Sequence, residues 1–88
     1  MKKYHDVSNL YFNNDEMVVT IDGQMRKFVL SEISSALEKA SVEERNMYEI
    51  SPSGYGIHWP LIDEDLSIDG LLGIVHAPPT ILKGKQYV

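Results

Sequence analysis

The residues best suited to chemistry lie together in one stretch, GYGIHWPLIDEDLSIDG, residues 54–70. It holds His58, four carboxylates and a serine, and a histidine near serine and aspartate is the residue set of hydrolytic triads. Paired carboxylates could also perform acid–base work. A triad is defined by geometry, however, and the chain has neither a Gly-x-Ser-x-Gly elbow nor a phosphate-binding glycine loop. We therefore predict no catalytic residues and a protein that is not an enzyme.

The same stretch begins like a calcium-binding loop. Asp65, Ser67 and Asp69 stand at alternate positions and Gly70 follows, as in an EF-hand. That loop needs a bidentate Glu at its twelfth position, where this chain has His76. The alternative is a helix capped by Ser67 with carboxylates near its N-terminus, which we favour. We expect no metal and no other cofactor.

Binding is the third use these residues could have. Tyrosine and tryptophan are enriched at protein interfaces, and this small chain has five Tyr and one Trp. The alternative is that these aromatic rings pack in the core, with the indole N–H on a backbone acceptor and His58 on the less buried face of its strand. The candidate interface residues are Tyr48, Tyr55, His58, Trp59, Asp63 and Asp65.

The elements that would position these residues follow from local patterns. Asp22-Gly23 separates two β-prone runs, which predicts a two-residue hairpin with Met17 facing Phe28. Apolar spacing predicts a helix over 31–40 that Ser31 could cap, and Ser41 and Glu44 form a capping box for a second helix. Strands are predicted near 7–12, 16–21, 24–29, 47–51 and 55–59, and helices near 31–40, 41–46 and 66–73. The residues predicted to be buried are Phe28, Leu30, Ile33, Leu37, Ile57, Trp59, Leu66 and Leu72.

Together these elements predict an α+β domain over residues 1–76: a small sheet of about five mostly antiparallel strands with two or three short helices on one face. Residues 77–88 are predicted to be a tail, because Pro78-Pro79 interrupts regular structure. Its apolar triplet 80–82 suggests a segment that orders by adding a strand to the sheet edge of a partner or of a second copy. A free terminus is the alternative.

Length, charge and composition restrict the function classes. Eighty-eight residues with 43% hydrophobic and 24% charged residues form one small domain, and without cysteine no disulfide supplements its core. The net charge is −5 and the eight basic residues are scattered, which disfavours direct nucleic-acid binding and suits a basic protein partner. No signal peptide and no stretch long enough to span a bilayer is present, so we expect a cytoplasmic protein with no membrane association.

Two segments of the chain carry a resemblance. MYEISPSGYGIHWP (47–60), followed by LIDEDLSI (61–68) and Leu71-Leu72, resembles the C-terminal signature of the bacterial family named domain of unknown function 2442. The Asp22-Gly23 hairpin running into FVLS (28–31) is similar to the first half of that family, so that the resemblance covers roughly residues 5–74. It implies a small α+β fold and assigns no catalytic residues. It also implies a second small protein encoded nearby, as in a toxin–antitoxin pair.

Two functions from different classes therefore remain. The first is a non-enzymatic protein-interaction module, in its finer form an antitoxin-like protein that masks a small basic partner encoded nearby; self-association is the other way to supply an interface. The alternative is a small DNA-binding or transcription-regulating protein that acts as a dimer or in a complex. Some longer relatives carry a helix-turn-helix domain, whereas the last twelve residues of this chain are too few for two helices.

Overall fold

The computed structural model describes residues 4–73, and the architecture below is that of this part of the chain. It is an α+β fold in which two three-stranded antiparallel sheets are joined by short helices. The elements are β1 Val7–Asn13, β2 Glu16–Ile21, β3 Gln24–Val29, α1 Leu30–Ile33, α2 Ser35–Lys39, α3 Val42–Asn46, β4 Glu49–Ile50, β5 Gly56–Trp59, β6 Glu64–Ser67 and α4 Ile68–Leu72. Between residues 4 and 73 no helix is long and apolar enough to cross a membrane.

The first sheet, in the order β1-β2-β3, is built around the predicted hairpin. Asp22 and Gly23 have φ of 52° and 84°, the left-handed values that a tight two-residue turn of this kind requires. The predicted register is confirmed, since Met17 pairs with Phe28 and Val19 with Arg26. The inner face of this sheet therefore presents the side chains that the alternation predicts.

One core joins both sheets. Leu30, Leu37, Ile57 and Trp59 are buried as predicted. The other four residues predicted to be buried are only half-buried and pack against the core from its margin: Phe28, Ile33, Leu66 and Leu72. The core cluster consists of Leu10, Met17, Val19, Ile21, Leu30, Leu37, Ile57, Trp59 and Ile68.

The prediction of a single sheet of about five strands is wrong. The chain forms two sheets, and the second, in the order β4-β5-β6, contains a strand that was not predicted. Its residues 64–67 follow a turn and pair with β5, so that Asp65 lies beside His58. At the edge of a sheet, alternate acidic side chains reach solvent at no cost, which is why an acidic run can be a strand.

The predicted helix over 31–40 is divided in two at Ser34. That residue is extended, with φ −166° and ψ 110°, and its Oγ accepts a hydrogen bond from the N–H of Leu37 at 3.0 Å. The hydroxyl of Ser34 also donates to the Glu64 carboxylate, which ties the break to β6. The predicted cap at Ser31 is wrong, because α1 begins after Val29 without a side-chain cap.

The other two caps are confirmed. Ser41 and Glu44 form the reciprocal capping box of α3. Ser67 caps α4 by accepting from the N–H of Gly70 at 2.9 Å, and Gly73 ends that helix in the left-handed conformation, with φ 76°. The predicted tail, residues 77–88, and the end of the predicted domain lie outside the described residues.

Candidate functional site

His5 contacts two carboxylates at once, one with each of its ring nitrogens. Its Nδ1 lies 2.7 Å from Oδ2 of Asp22, and its Nε2 lies 2.7 Å from Oδ1 of Asp69. Ionised carboxylates only accept hydrogen bonds, so both contacts are satisfied when both ring nitrogens carry a proton. The hydrogen bonds to Asp22 first, and to Asp69 next, raise the pKa of His5 above its ordinary value. Hydrogen bonds from His5 and from the N–H of Asp6 lower the pKa of Asp22.

The segment around His5 is held by the turn of the second sheet. The N–H of Tyr4 donates to the carbonyl of Ser53 at 2.7 Å. Gly54 has φ +74°, and a Cβ on it would lie 1.8 Å from the His5 carbonyl oxygen, so only glycine fits there. His5 thereby links the first hairpin, the second sheet and α4. We call the contacts among His5, Asp22 and Asp69 the histidine clasp.

The histidine clasp is suited to holding the fold rather than to activating a substrate. Only 11% of the His5 side chain is exposed, and both of its nitrogens are occupied by carboxylates. No pattern in the sequence identified it: its partners lie 17 and 64 residues away, and Asp22 was interpreted only as a turn residue.

His58 lies on the outer face of the second sheet, as predicted. Its Nδ1 is 2.7 Å from Oδ1 of Asp65, and the ladder places Glu49 on its other side. This row of an acid, a histidine and an acid across three strands is open to solvent, with Asp65 74% exposed. Ser67, the serine of the stretch, lies on the same strand as Asp65 and caps α4.

The six candidate interface residues do not form one surface. Trp59 is fully buried and its indole N–H donates to the Arg45 carbonyl at 3.0 Å, as the core interpretation predicts. Tyr48 is half-buried, and its hydroxyl donates to the Leu10 carbonyl at 3.2 Å. Four of the six reach the surface: Tyr55, His58, Asp63 and Asp65. Among them Tyr55 packs edge-on against Tyr4, with ring centroids 5.5 Å apart.

Arg45 has a structural role that no sequence pattern indicated. Its guanidinium donates to three backbone carbonyls, those of Leu37, Glu38 and Asn14, at 2.8–2.9 Å. The group also lies over the Phe12 ring, 5.8 Å from the centroid. Arg45 therefore joins α2 and α3 to the first turn.

The outer face of the first sheet carries an apolar patch. Val18 is 1% exposed but does not belong to the core cluster. In the ladder it lies between Tyr11 and Lys27, on the face opposite Met17. Tyr11, Met25 and Val29 share this face and are 51%, 64% and 39% exposed. We call Tyr11, Val18, Met25 and Val29 the outer patch. The hairpin pattern predicted this face, but its apolar residues were not predicted to form a patch, because only the inner face was assigned to the core.

A groove runs along β6, the edge strand of the second sheet. Its volume is about 380 Å³, and α1 forms the opposite wall. The lining residues are Glu32, Ile33, Asp65, Leu66, Ser67, Gly70 and Leu71. In residues 4–73, no group of three His, Asp or Glu side chains is arranged to hold a metal ion. Asp65, Ser67 and Asp69 instead face His58, the N-terminus of α4 and His5, respectively.

Residues 7–77 match the family described as "Protein of unknown function (DUF2442)". The chain belongs to this family. The resemblance seen over the hairpin and the GIHWP stretch is thus confirmed. The description of the family assigns no function, so the role of the exposed surfaces of this DUF2442 chain is inferred from their chemistry.

One solved structure shows the same fold. It is the crystal structure of a protein of unknown function from Rhodospirillum rubrum ATCC 11170, with a TM-score of 0.65. Its sequence is 24% identical to the DUF2442 chain, and the match covers 88% of this chain and 95% of that one. No protein of the curated set matches this chain.

Proposed function

We propose that the chain is a non-enzymatic protein-interaction module that binds its partner through the outer patch. The observation that supports this most strongly is that three large apolar side chains lie on one face of the first sheet and are each 39% or more exposed: Tyr11, Met25 and Val29. Apolar side chains grouped on an open face favour burial against another protein, since each removes apolar area from water on binding.

The arrangement of the histidines also supports binding over catalysis. The nitrogens of His5 are both occupied in the histidine clasp, which makes it a poor base. His58 and Asp65 pair on an open sheet face, where little wall exists to exclude water from a substrate.

In its finer form the proposal is an antitoxin-like protein that masks a small basic partner in the cytoplasm. The net charge of −5 supports a partner of positive net charge, because opposite charges speed the encounter of two proteins and restrict the choice of partner. The resemblance to the family implies a second small protein encoded nearby, and this protein is the partner that we propose. The tyrosine of the outer patch is a suitable anchor, since it combines a large ring with a polar tip.

The distribution of basic side chains gives the DNA-binding alternative little support. Arg26 and Lys27 are consecutive in β3 and therefore point to opposite faces. Arg45 is occupied by three carbonyls. Phosphate binding needs several cations on one face, and among residues 4–73 these cations are divided between faces.

Co-expression with the product of the adjacent gene tests the proposal. We expect the two full-length proteins to co-purify and the double variant Tyr11→Ser/Met25→Ser to weaken binding about tenfold or more, because interface anchors dominate affinity. Val42→Ser is the matched control: Val42 is 73% exposed but lies on α3. Circular dichroism would show that each variant is folded. Equal binding by wild type and the double variant would refute the outer patch as the interface, and loss of binding in Val42→Ser alone would move it to α3.

A further inference from the structure

The edge strand β6 directs backbone groups into the groove beside it. β6 pairs with β5 on one side, and within residues 4–73 no strand lies on its other side. The N–H of Ile68 donates to the Tyr55 carbonyl at 2.8 Å. Because backbone groups alternate along an antiparallel strand, those of Leu66 face β5, whereas the N–H and C=O of Asp65 face the open edge. Such an edge can accept a further strand.

Two rows of side chains cross the second sheet and end at this edge. The apolar row consists of Ile50, Ile57 and Leu66. The polar row lies on the opposite face and consists of Glu49, His58 and Asp65. Because the side chains of a strand alternate, an added strand that continues the apolar row beside Leu66 places its next residue beside the Asp65 carboxylate.

The charge of the groove favours a cation at that second position. The described lining residues include two acids, Glu32 and Asp65, both exposed, and no base. Opposite charges that face each other across two strands stabilise the pairing, and like charges weaken it. Asp65 already contacts His58, but its side chain is 74% exposed and its carboxylate can accept several hydrogen bonds. Ile33 and Leu71 give the neighbouring apolar residue a wall to pack against.

We propose that this groove binds an extended segment of a basic protein as an antiparallel fourth strand of the second sheet. The segment sets an apolar side chain beside Leu66 and a lysine or arginine beside Asp65. A second copy of the chain suits the groove less well, because twofold pairing of β6 with β6 would set one acidic edge against another. The site is separate from the outer patch, so the inference goes beyond the function proposed above and does not depend on it.

Calorimetric titration of the full-length protein with short synthetic peptides tests the proposal. At about 0.15 M salt, which screens general charge attraction, a peptide that alternates valine and lysine should bind about tenfold or more tightly than one that alternates valine and glutamate. In the proposed register the lysine N–H groups donate to β6 and the valine N–H groups point away from it. N-methylation of the lysine amides should therefore abolish binding, and N-methylation of the valine amides should leave it intact.

A charge reversal in the groove provides the matched variants. Asp65→Lys should lower the affinity for the valine–lysine peptide about tenfold and raise the affinity for the valine–glutamate peptide. Glu43→Lys makes the same charge change at an exposed position of α3 and should change neither affinity. Tyr11→Ser/Met25→Ser should also bind the peptides as the wild type does, so a failure of this proposal can be distinguished from a failure of the outer patch. Circular dichroism would show that each variant is folded.

Three results would overturn the proposal. The first is the absence of binding at about 1 mM valine–lysine peptide. The second is binding that survives N-methylation of the lysine amides or that Asp65→Lys leaves unchanged, since charge attraction without strand addition would explain it. The third is a dimer in sedimentation that the valine–lysine peptide dissociates, which would identify a second copy of the chain as the occupant in place of a basic partner.

Discussion

At the scale of single residues, the histidine clasp should make stability depend on pH. The raised pKa of His5 means that the folded protein binds this proton more tightly than the unfolded chain does. Its contribution is fully present below the ordinary value of 6.5 and is lost as the pH rises through the raised value. The lowered pKa of Asp22 acts at the other end: its contribution is present above 3.8 and is lost as the pH falls through the lowered value.

Urea unfolding at about pH 6 and about pH 8.5 would measure this effect. We expect the free energy of unfolding of the wild type to be lower at the higher pH, and His5→Gln to flatten the difference. Asp22→Asn should reduce this pH difference only in part, because the hydrogen bond between His5 and Asp69 remains. An identical pH dependence in wild type and His5→Gln would show that the histidine clasp does not contribute.

Arg45 supplies a second prediction at this scale. Lysine keeps the charge but lacks the planar fork that reaches the carbonyls of Leu37, Glu38 and Asn14 together. Arg45→Lys should therefore lower the free energy of unfolding by about 1–3 kcal/mol, measured by denaturant titration. Arg26→Lys is the control, because Arg26 is exposed and its guanidinium donates to the Gln24 side chain. A loss of less than about 0.5 kcal/mol in Arg45→Lys would contradict the account.

At the scale of elements, the predictions succeeded where a backbone requirement was local. Asp22-Gly23 was identified because the turn needs left-handed residues, and Ser41 with Glu44 because their cap lies within one turn. Predictions failed where a distant partner decided the outcome. Ser34 divides the helix because it caps α2 while donating to Glu64, thirty residues away. The acidic strand β6 was missed because four residues show too little alternation to reveal a strand.

The candidate site follows the same rule. His58 and Trp59 were assigned to opposite faces correctly because alternation along a strand is local. His5 could not be found, because neither Asp22 nor Asp69 is near it in sequence. Tyr48 and Trp59 carry the aromatic character typical of interfaces. Trp59 is nevertheless buried in the core and Tyr48 is half-buried against it, and each donates its polar hydrogen to a backbone carbonyl.

The short helix α2 tests how packing holds the elements together. Five residues are too few for a stable isolated helix, so α2 depends on its one fully buried side chain, Leu37. Leu37→Ala should cost about 2–5 kcal/mol in denaturant unfolding, from lost burial and the cavity left behind. Phe28→Ala should cost less than Leu37→Ala, since Phe28 is only half-buried. An equal or smaller cost for Leu37→Ala would show that α2 is held by its caps instead.

At the scale of the whole molecule, two small sheets share one core and leave a face open. Trp59, Ile57 and Ile68 meet the inner face of the first sheet within the core cluster, which explains why Met17 and Val19 are fully buried. The other face of the same sheet keeps three residues of the outer patch exposed: Tyr11, Met25 and Val29. With so small a core, an additional interface would add appreciably to stability, because a bound partner stabilises the folded state by mass action.

Mapping of backbone amide shifts when the purified adjacent-gene product is added to the labelled full-length protein tests the central claim most directly. We predict that the largest changes occur in β1, β2 and β3, around Tyr11, Val18 and Met25, with small changes in β5 and β6. Changes concentrated around Tyr55, His58 and Asp65 would place the interface on the second sheet. No change at saturating partner would contradict the proposed interaction itself.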